Sequence, residues 1–234
     1  MAKYFPAEHI VTETMAIYQE LLGLYFKQSE CQAWTTDISC YKVFDEKSNQ
    51  FLGLFYLDLY PREGKFNHAA VFPLVQRSVV GDDVKRASAA MVVNFDPSKD
   101  GQPSLMHHNE VKTFFHEFGH VMHNMCSTAN FARFAGNAVE KDFVELPSQM
   151  LENWVWDKNV LKRLGKHYES GEPLPDELIQ KKLDSRLLFE AYAEMGQLFQ
   201  STFDFIIHSA SENSTVADGM IAKERVTLHK KHEE

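Results

Sequence analysis

The sequence is poor in cysteine, in basic charge and in long apolar runs, and each shortage excludes something. Its 234 residues include three cysteines, Cys31, Cys40 and Cys126, an odd number with no C-x-x-C spacing. That excludes a disulfide framework and a four-cysteine zinc knuckle, and three free thiols imply a reducing compartment. Lys and Arg number 24 against 33 Asp and Glu, a formal net charge of −9 with His neutral. So acidic a chain lacks the basic surface that a phosphate backbone requires, and no nucleic-acid partner is expected. No apolar stretch approaches the ~20 residues that cross a bilayer, so no membrane partner is expected either. The start, Met1-Ala2-Lys3-Tyr4-Phe5-Pro6, has no apolar signal core. Against these shortages stand a 44% hydrophobic content, enough for one sizeable core, and eleven histidines. The placement of the histidines is the informative feature.

Periodicity divides the chain into three stretches. Met15, Tyr18, Leu22 and Tyr25 recur at helical steps and predict a helix from about Thr12, its cap, to Gln28. Tyr41–Phe44 and Phe51–Tyr60 then read as a hairpin around a polar segment, with the second strand covered on both faces. Two further strands are expected at His68–Phe72 and Ala89–Phe95, separated by a polar loop containing Gly81, Asp82 and Asp83. Helical periodicity returns over Asn109–Ser127 and Ser148–Leu164, and again from a cap at Asp176 to about His208. The fold class is therefore α+β, mostly α with a small β-sheet. Residues 1–208 are read as the ordered region and 209–234 as a polar, disordered tail.

The sharpest motif is His116-Glu117-Phe118-Gly119-His120 inside the Asn109–Ser127 helix. Residues four apart project from one face of a helix, so two imidazoles can reach one tetrahedral Zn²⁺. The intervening Glu117 then lies beside the metal, placed to take a proton from a zinc-bound water. The bland alternative is a pair of part-buried helix histidines with Glu117 on a solvated face. A zinc of this kind wants a third protein ligand, and Glu140, Asp142, Glu145 and Glu152 all follow. Spacing does not choose among them, although Glu145 sits in an apolar context where an unpartnered carboxylate is costly. His123 reads as core or as a support for the ligands, and His107 and His108 as a solvated loop. Cys126 reads as a small buried apolar residue, and Trp154 and Trp156 as core anchors.

The stretch Thr113–His123, followed by Asp142-Phe143-Val144-Glu145-Leu146-Pro147-Ser148-Gln149-Met150-Leu151-Glu152-Asn153-Trp154-Val155-Trp156, resembles the thimet oligopeptidase and neurolysin family of zinc metallopeptidases. Tyr18-Gln19-Glu20-Leu21-Leu22-Gly23-Leu24 and Phe55–Lys65 resemble the same family, and the likeness runs from about Tyr4 to His208. It implies a zincin-like core with the motif on an active-site helix, one Zn²⁺ per chain, and short peptides as substrates. It also implies His116, His120 and Glu145 as zinc ligands and Glu117 as the catalytic base. Ala89–Phe95 is nominated as the edge strand that a substrate backbone would pair with. The family's large amino-terminal helical wall and its later oxyanion-holding segment find no counterpart here. The alternative expectation is thus a truncated member that binds zinc without efficient catalysis. Cytosol is the expected location, with the mitochondrion as the alternative.

Overall fold

A computed structural model describes residues 1–99, 101–188 and 190–208, so the expected tail at 209–234 lies outside the described residues. The first helix, α1 (Ala7–Leu22), starts earlier than periodicity indicates, at Pro6. Thr12 does not cap it but returns its hydroxyl to the Glu8 carbonyl, the usual alternative for a threonine inside a helix. Gly23 stops the helix with φ of 64°, and its amide N–H closes on the Gln19 carbonyl. The aromatic run that follows therefore leaves the helix and becomes β1 (Leu24–Gln28).

Strands β2 (Ser39–Asp45) and β3 (Phe51–Asp58) form the expected antiparallel hairpin. β4 (Ala70–Val75) follows, and then a small hairpin of β5 (Ser78–Val80) and β6 (Asp83–Lys85) occupies the stretch expected to be a loop. β7 (Ala87–Val92) completes a five-stranded sheet in the order β1-β2-β3-β7-β4. β7 runs parallel to β3 and antiparallel to β4. The strand nominated as an edge is therefore interior. The crossover from β3 to β7 slots it beside β3, and β4 takes the edge instead.

The long helix α2 (His108–Met125) lies against this sheet. His107 and His108 are not a loose loop. Glu110 accepts from the His107 backbone N–H at 2.6 Å, and buried His108 places Nε2 3.2 Å from the Val155 carbonyl oxygen. The expected Ser148–Leu164 helix is broken into α3 (Leu146–Glu152), a 3₁₀ turn (Asn153–Trp156) and α4 (Lys158–Leu164). The break falls at Asp157, whose carboxylate accepts from the N–H groups of Asn159 and Val160 and restarts the helix. Met1–Pro175 makes one compact unit, and a second begins at Asp176 with α5 (Asp176–Leu188) and α6 (Glu190–His208). Among the described residues no helix is long and apolar enough to cross a membrane.

Two features tie down the sheet ends. Cys31 and Cys40 form a disulfide, which corrects the expectation of three free thiols. The β1–β2 hairpin brings the chain after Gln28 back beside Cys40, where Ser29 N–H donates to the Cys40 carbonyl. Cys126, expected to be buried, is exposed at the end of α2. Protein crowded about its sulfur nonetheless pushes the thiol up to about 11. The second tie is Asp58 at the end of β3. It pairs with Arg62 at 2.7 and 2.8 Å and with Lys65 at 2.8 Å, and accepts from Trp34 Nε1 at 2.9 Å. Lys65 also donates to the carbonyls of Asp58, Tyr60 and Val93.

The side chains of Asp58 and Lys65 are only 4% and 2% exposed, so removing Asp58 leaves Lys65 as a buried charge without its carboxylate partner. Asp58→Ala is expected to cost about 3–5 kcal/mol in urea denaturation. Burial alone would raise the pKa of Asp58, but Arg62, Lys65 and Trp34 together bring it below the ordinary value. Its contribution is thus complete above the unfolded value of ~3.9 and is lost as pH falls through the lower folded value. The wild-type acid-unfolding midpoint should accordingly lie below that of Asp58→Asn. Alkylation of the native, unreduced chain should label Cys126 alone, and slowly, as read by peptide mass; labelling of Cys31 or Cys40 would refute the pairing.

Candidate metal centre

Successive residues of an α-helix are turned by about 100°. Taking the bisector of His116 and His120 as zero, Phe118 then points about 180° away, with Glu117 and Gly119 on opposite flanks. The packing follows this geometry. Phe118 is fully buried, edge-on to Tyr18 of α1 at 4.9 Å, to Phe55 of β3 at 5.3 Å and to Phe26 of β1 at 5.9 Å. Tyr18 adds a hydrogen bond from its hydroxyl to the Phe115 carbonyl at 2.6 Å. With its underside anchored so, α2 turns both histidines away from the sheet, rings 4.9 Å apart.

α3 crosses that face in the opposite direction. Glu145, just before its first turn, brings Oε2 to 3.0 Å from His116 Nε2 and 3.1 Å from His120 Nε2. One donor atom from each of the three residues lies within 4.8 Å of the others. A tetrahedral ion with arms of ~2.0–2.1 Å has donor atoms ~3.3 Å apart, so a His₂Glu set at these separations fits Zn²⁺ with little adjustment. The Glu145 side chain remains 49% exposed, which leaves the outer side of the cluster open. Ser148 shares its hydroxyl between the Glu145 carbonyl (2.8 Å) and Oε2 (3.1 Å).

The electrostatics suit cation binding. Burial works to raise Glu145, but His120, the Ser148 hydroxyl and His116 outweigh it and hold the carboxyl below its usual range, hence anionic at neutral pH. Burial depresses the pKa of His120, favouring the neutral ring that a metal needs. Glu117 is buried, and burial lifts its pKa; His116 opposes the rise and Glu145 adds to it.

Of the acids that spacing left open, Glu140 and Asp142 stand apart from this group, lining an open cleft of about 620 Å³ with Arg133, Phe134 and Phe143. Glu152 takes another place, with Oε2 3.1 Å from His116 Nδ1 and Oε1 3.1 Å from Lys112 Nζ. His123 stays outside the cluster. Its ring packs 6.3 Å from Phe143, and burial lowers its pKa against an opposing contact from Asn137. Two contributors went unread in the sequence. Gly119 lets α3 approach, since a Cβ there would lie 2.8 Å from the Ser148 Cα, and Ser148 holds the Glu145 carboxylate. Only the small residues themselves signalled this contact.

Gly119→Ala gains up to ~1 kcal/mol of helix propensity but drives a methyl into backbone. The clash should win, at a cost of about 1–3 kcal/mol in thermal denaturation. It should also weaken Zn²⁺ binding in chelator competition, because α3 carries Glu145. Tighter binding or higher stability would sink this account.

The sequence profile of Peptidase family M3 matches residues 1–233, running past His208, where the likeness read from the sequence stops. The chain is 42% identical over 214 residues to a thimet-like oligopeptidase of Dictyostelium discoideum, covering 89% of this chain and 32% of that protein. It is 38% identical over 229 residues to saccharolysin of Saccharomyces cerevisiae, covering 93% of this chain and 32% of that one. To oligopeptidase A of Escherichia coli it is 36% identical over 209 residues, 88% of this chain and 31% of that protein. It therefore spans about a third of the length of these curated relatives. On a match covering nearly its whole length, the chain belongs to peptidase family M3.

Proposed function

We propose that this chain is the zinc-dependent core of an endopeptidase for short peptides. The observation that carries the reading is the convergence of His116, His120 and Glu145 on one point, with the buried carboxylate of Glu117 on the adjoining flank of the same helix. The relatives named as oligopeptidases support a short peptide as substrate.

In this reading His116, His120 and Glu145 hold the ion. A zinc ion bound there supplies Lewis acidity, lowering the pKa of water and polarising a carbonyl. The protein's own part lies with Glu117. As a carboxylate it accepts a proton from the attacking water, and as a carboxylic acid it returns that proton to the departing amine. The burial that raises its pKa brings the two forms closer in energy near neutral pH, which suits a group that must act as base and then acid. His120, kept neutral, and Glu145, kept anionic, reduce the proton release that ion binding requires.

Hydrolysis of an internally quenched oligopeptide by the zinc-loaded chain tests this. Glu117→Gln should lower kcat by about 10²–10⁴-fold while zinc stays bound. Glu145→Ala should lose the zinc itself, seen as metal content after gel filtration. A wild-type chain that is folded and zinc-loaded yet gives no hydrolysis above Glu117→Gln would overturn the proposal.

A further inference from the structure

We propose that Glu152 is a positioning residue for the metal centre, and that Lys112 in turn positions Glu152. The inference rests on the metal-centre reading above and adds a determinant of affinity that is not itself a ligand. Glu152 lies seven residues after Glu145, two turns along, so both carboxylates face α2. On α2, Lys112, His116 and His120 make one stripe at four-residue steps. The two rows interlock. Glu145 Oε2 meets the Nε2 atoms of both histidines, while Glu152 Oε2 lies 3.1 Å from His116 Nδ1 and its Oε1 lies 3.1 Å from Lys112 Nζ.

In the metal-centre reading His116 Nε2 and Glu145 share the ion, and a carboxylate only accepts, so the contact with Glu152 places the His116 proton on Nδ1. That leaves the lone pair on Nε2, the atom facing the Glu145 carboxylate, and fixes the plane of the ring. A carboxylate behind a ligating imidazole sets tautomer and orientation and makes the ligand more basic. His120 is treated differently, since its Nδ1 is buried without a hydrogen-bond partner in the described structure. His116 is thus the ligand held from both sides, and His120 is held from the Glu145 side alone. Lys112 matters because Glu152 has two oxygens: an ammonium on Oε1 holds that oxygen and keeps the other turned to His116. The bland reading is an ordinary ion pair between two helices. At 41% exposure for Lys112 and 19% for Glu152, such a pair contributes little to stability, so the two readings separate experimentally.

The experiment is Zn²⁺ affinity of the 234-residue chain, by competition with a chromophoric chelator and without substrate, beside thermal unfolding of the metal-free protein. Glu152→Gln keeps the shape and loses the charge, while Glu152→Ala loses both. Each should bind Zn²⁺ about 10–100-fold more weakly, with metal-free Glu152→Gln unfolding at the wild-type temperature. Lys112→Met should weaken binding by a smaller factor that vanishes in the Glu152→Gln background, since the two act in series. Wild-type affinity in Glu152→Gln, or a Lys112→Met effect undiminished in that background, overturns the proposal. A wild-type chain that fails to bind Zn²⁺ overturns the metal-centre reading itself, which is a distinguishable result.

Discussion

The burial of Phe118 is the constraint on which the rest of the site depends. An aromatic ring removed from water contributes on the order of 1.5–3 kcal/mol, and this one is enclosed by rings from α1, β1 and β3. A helix that commits one residue to the core commits its neighbours as well, because each is turned from the next by about 100°. Phe118 inward means His116 and His120 outward, with Glu117 and Gly119 at the sides. Rotating α2 to hide the histidines would drag Phe118 into water. The histidine-bearing side of the helix is therefore held in place by packing on its far side, to which the Tyr18–Phe115 hydrogen bond adds.

The second determinant is the close crossing of α3 over that outward face. At Gly119 the helix presents no side chain, so the backbone at Ser148 can sit where a methyl would otherwise be. This brings a row of carboxylates down onto a row of imidazoles. Charged groups so placed are tolerated because each has a partner: Glu145 has the two histidines and Ser148, and Glu152 has His116 and Lys112. The opposite displacements of Glu117 and Glu145 follow from surroundings rather than from residue type. One is buried beside a like charge and is pushed up; the other is half in solvent between bases and is held down.

Where the structure departs from the periodic pattern, either a local cap or a longer-range pairing overrides it. Aromatic and aliphatic residues at helical steps carry the expected first helix to Gln28, yet Gly23 ends it and Leu24–Gln28 pair with β2. Leu151, Trp154, Val155 and Leu161 recur at helical steps and read as one helix across Ser148–Leu164, while the Asp157 carboxylate accepts from backbone N–H groups and splits it. The family resemblance nominates the strand before the motif helix as an edge, but the sheet order sets β7 between β3 and β4, which the sequence does not record. Cys31 and Cys40 looked unpaired because an odd count says only that one thiol is left over; the hairpin decides which two meet.

By itself the sequence determined what lies within one helix. The four-residue step of His116 and His120, Glu117 beside them and the apolar stripe behind them are all readable, because helix geometry is local and periodic. Spacing leaves open which acid joins the histidines and the family resemblance implies Glu145; only the tertiary structure brings that carboxylate to both rings and shows what the other acids do. Glu145 and His120 are separated by 25 residues, and Glu152 and His116 by 36. Between the two helices the chain passes through turns whose course no periodicity records. Spacing could name Glu140, Asp142, Glu145 and Glu152 as candidates, but it could not rank them, because the distance between two helices is fixed by the residues that pack between them. Here that residue is a glycine, and the contact it permits cannot be read from its place in the chain.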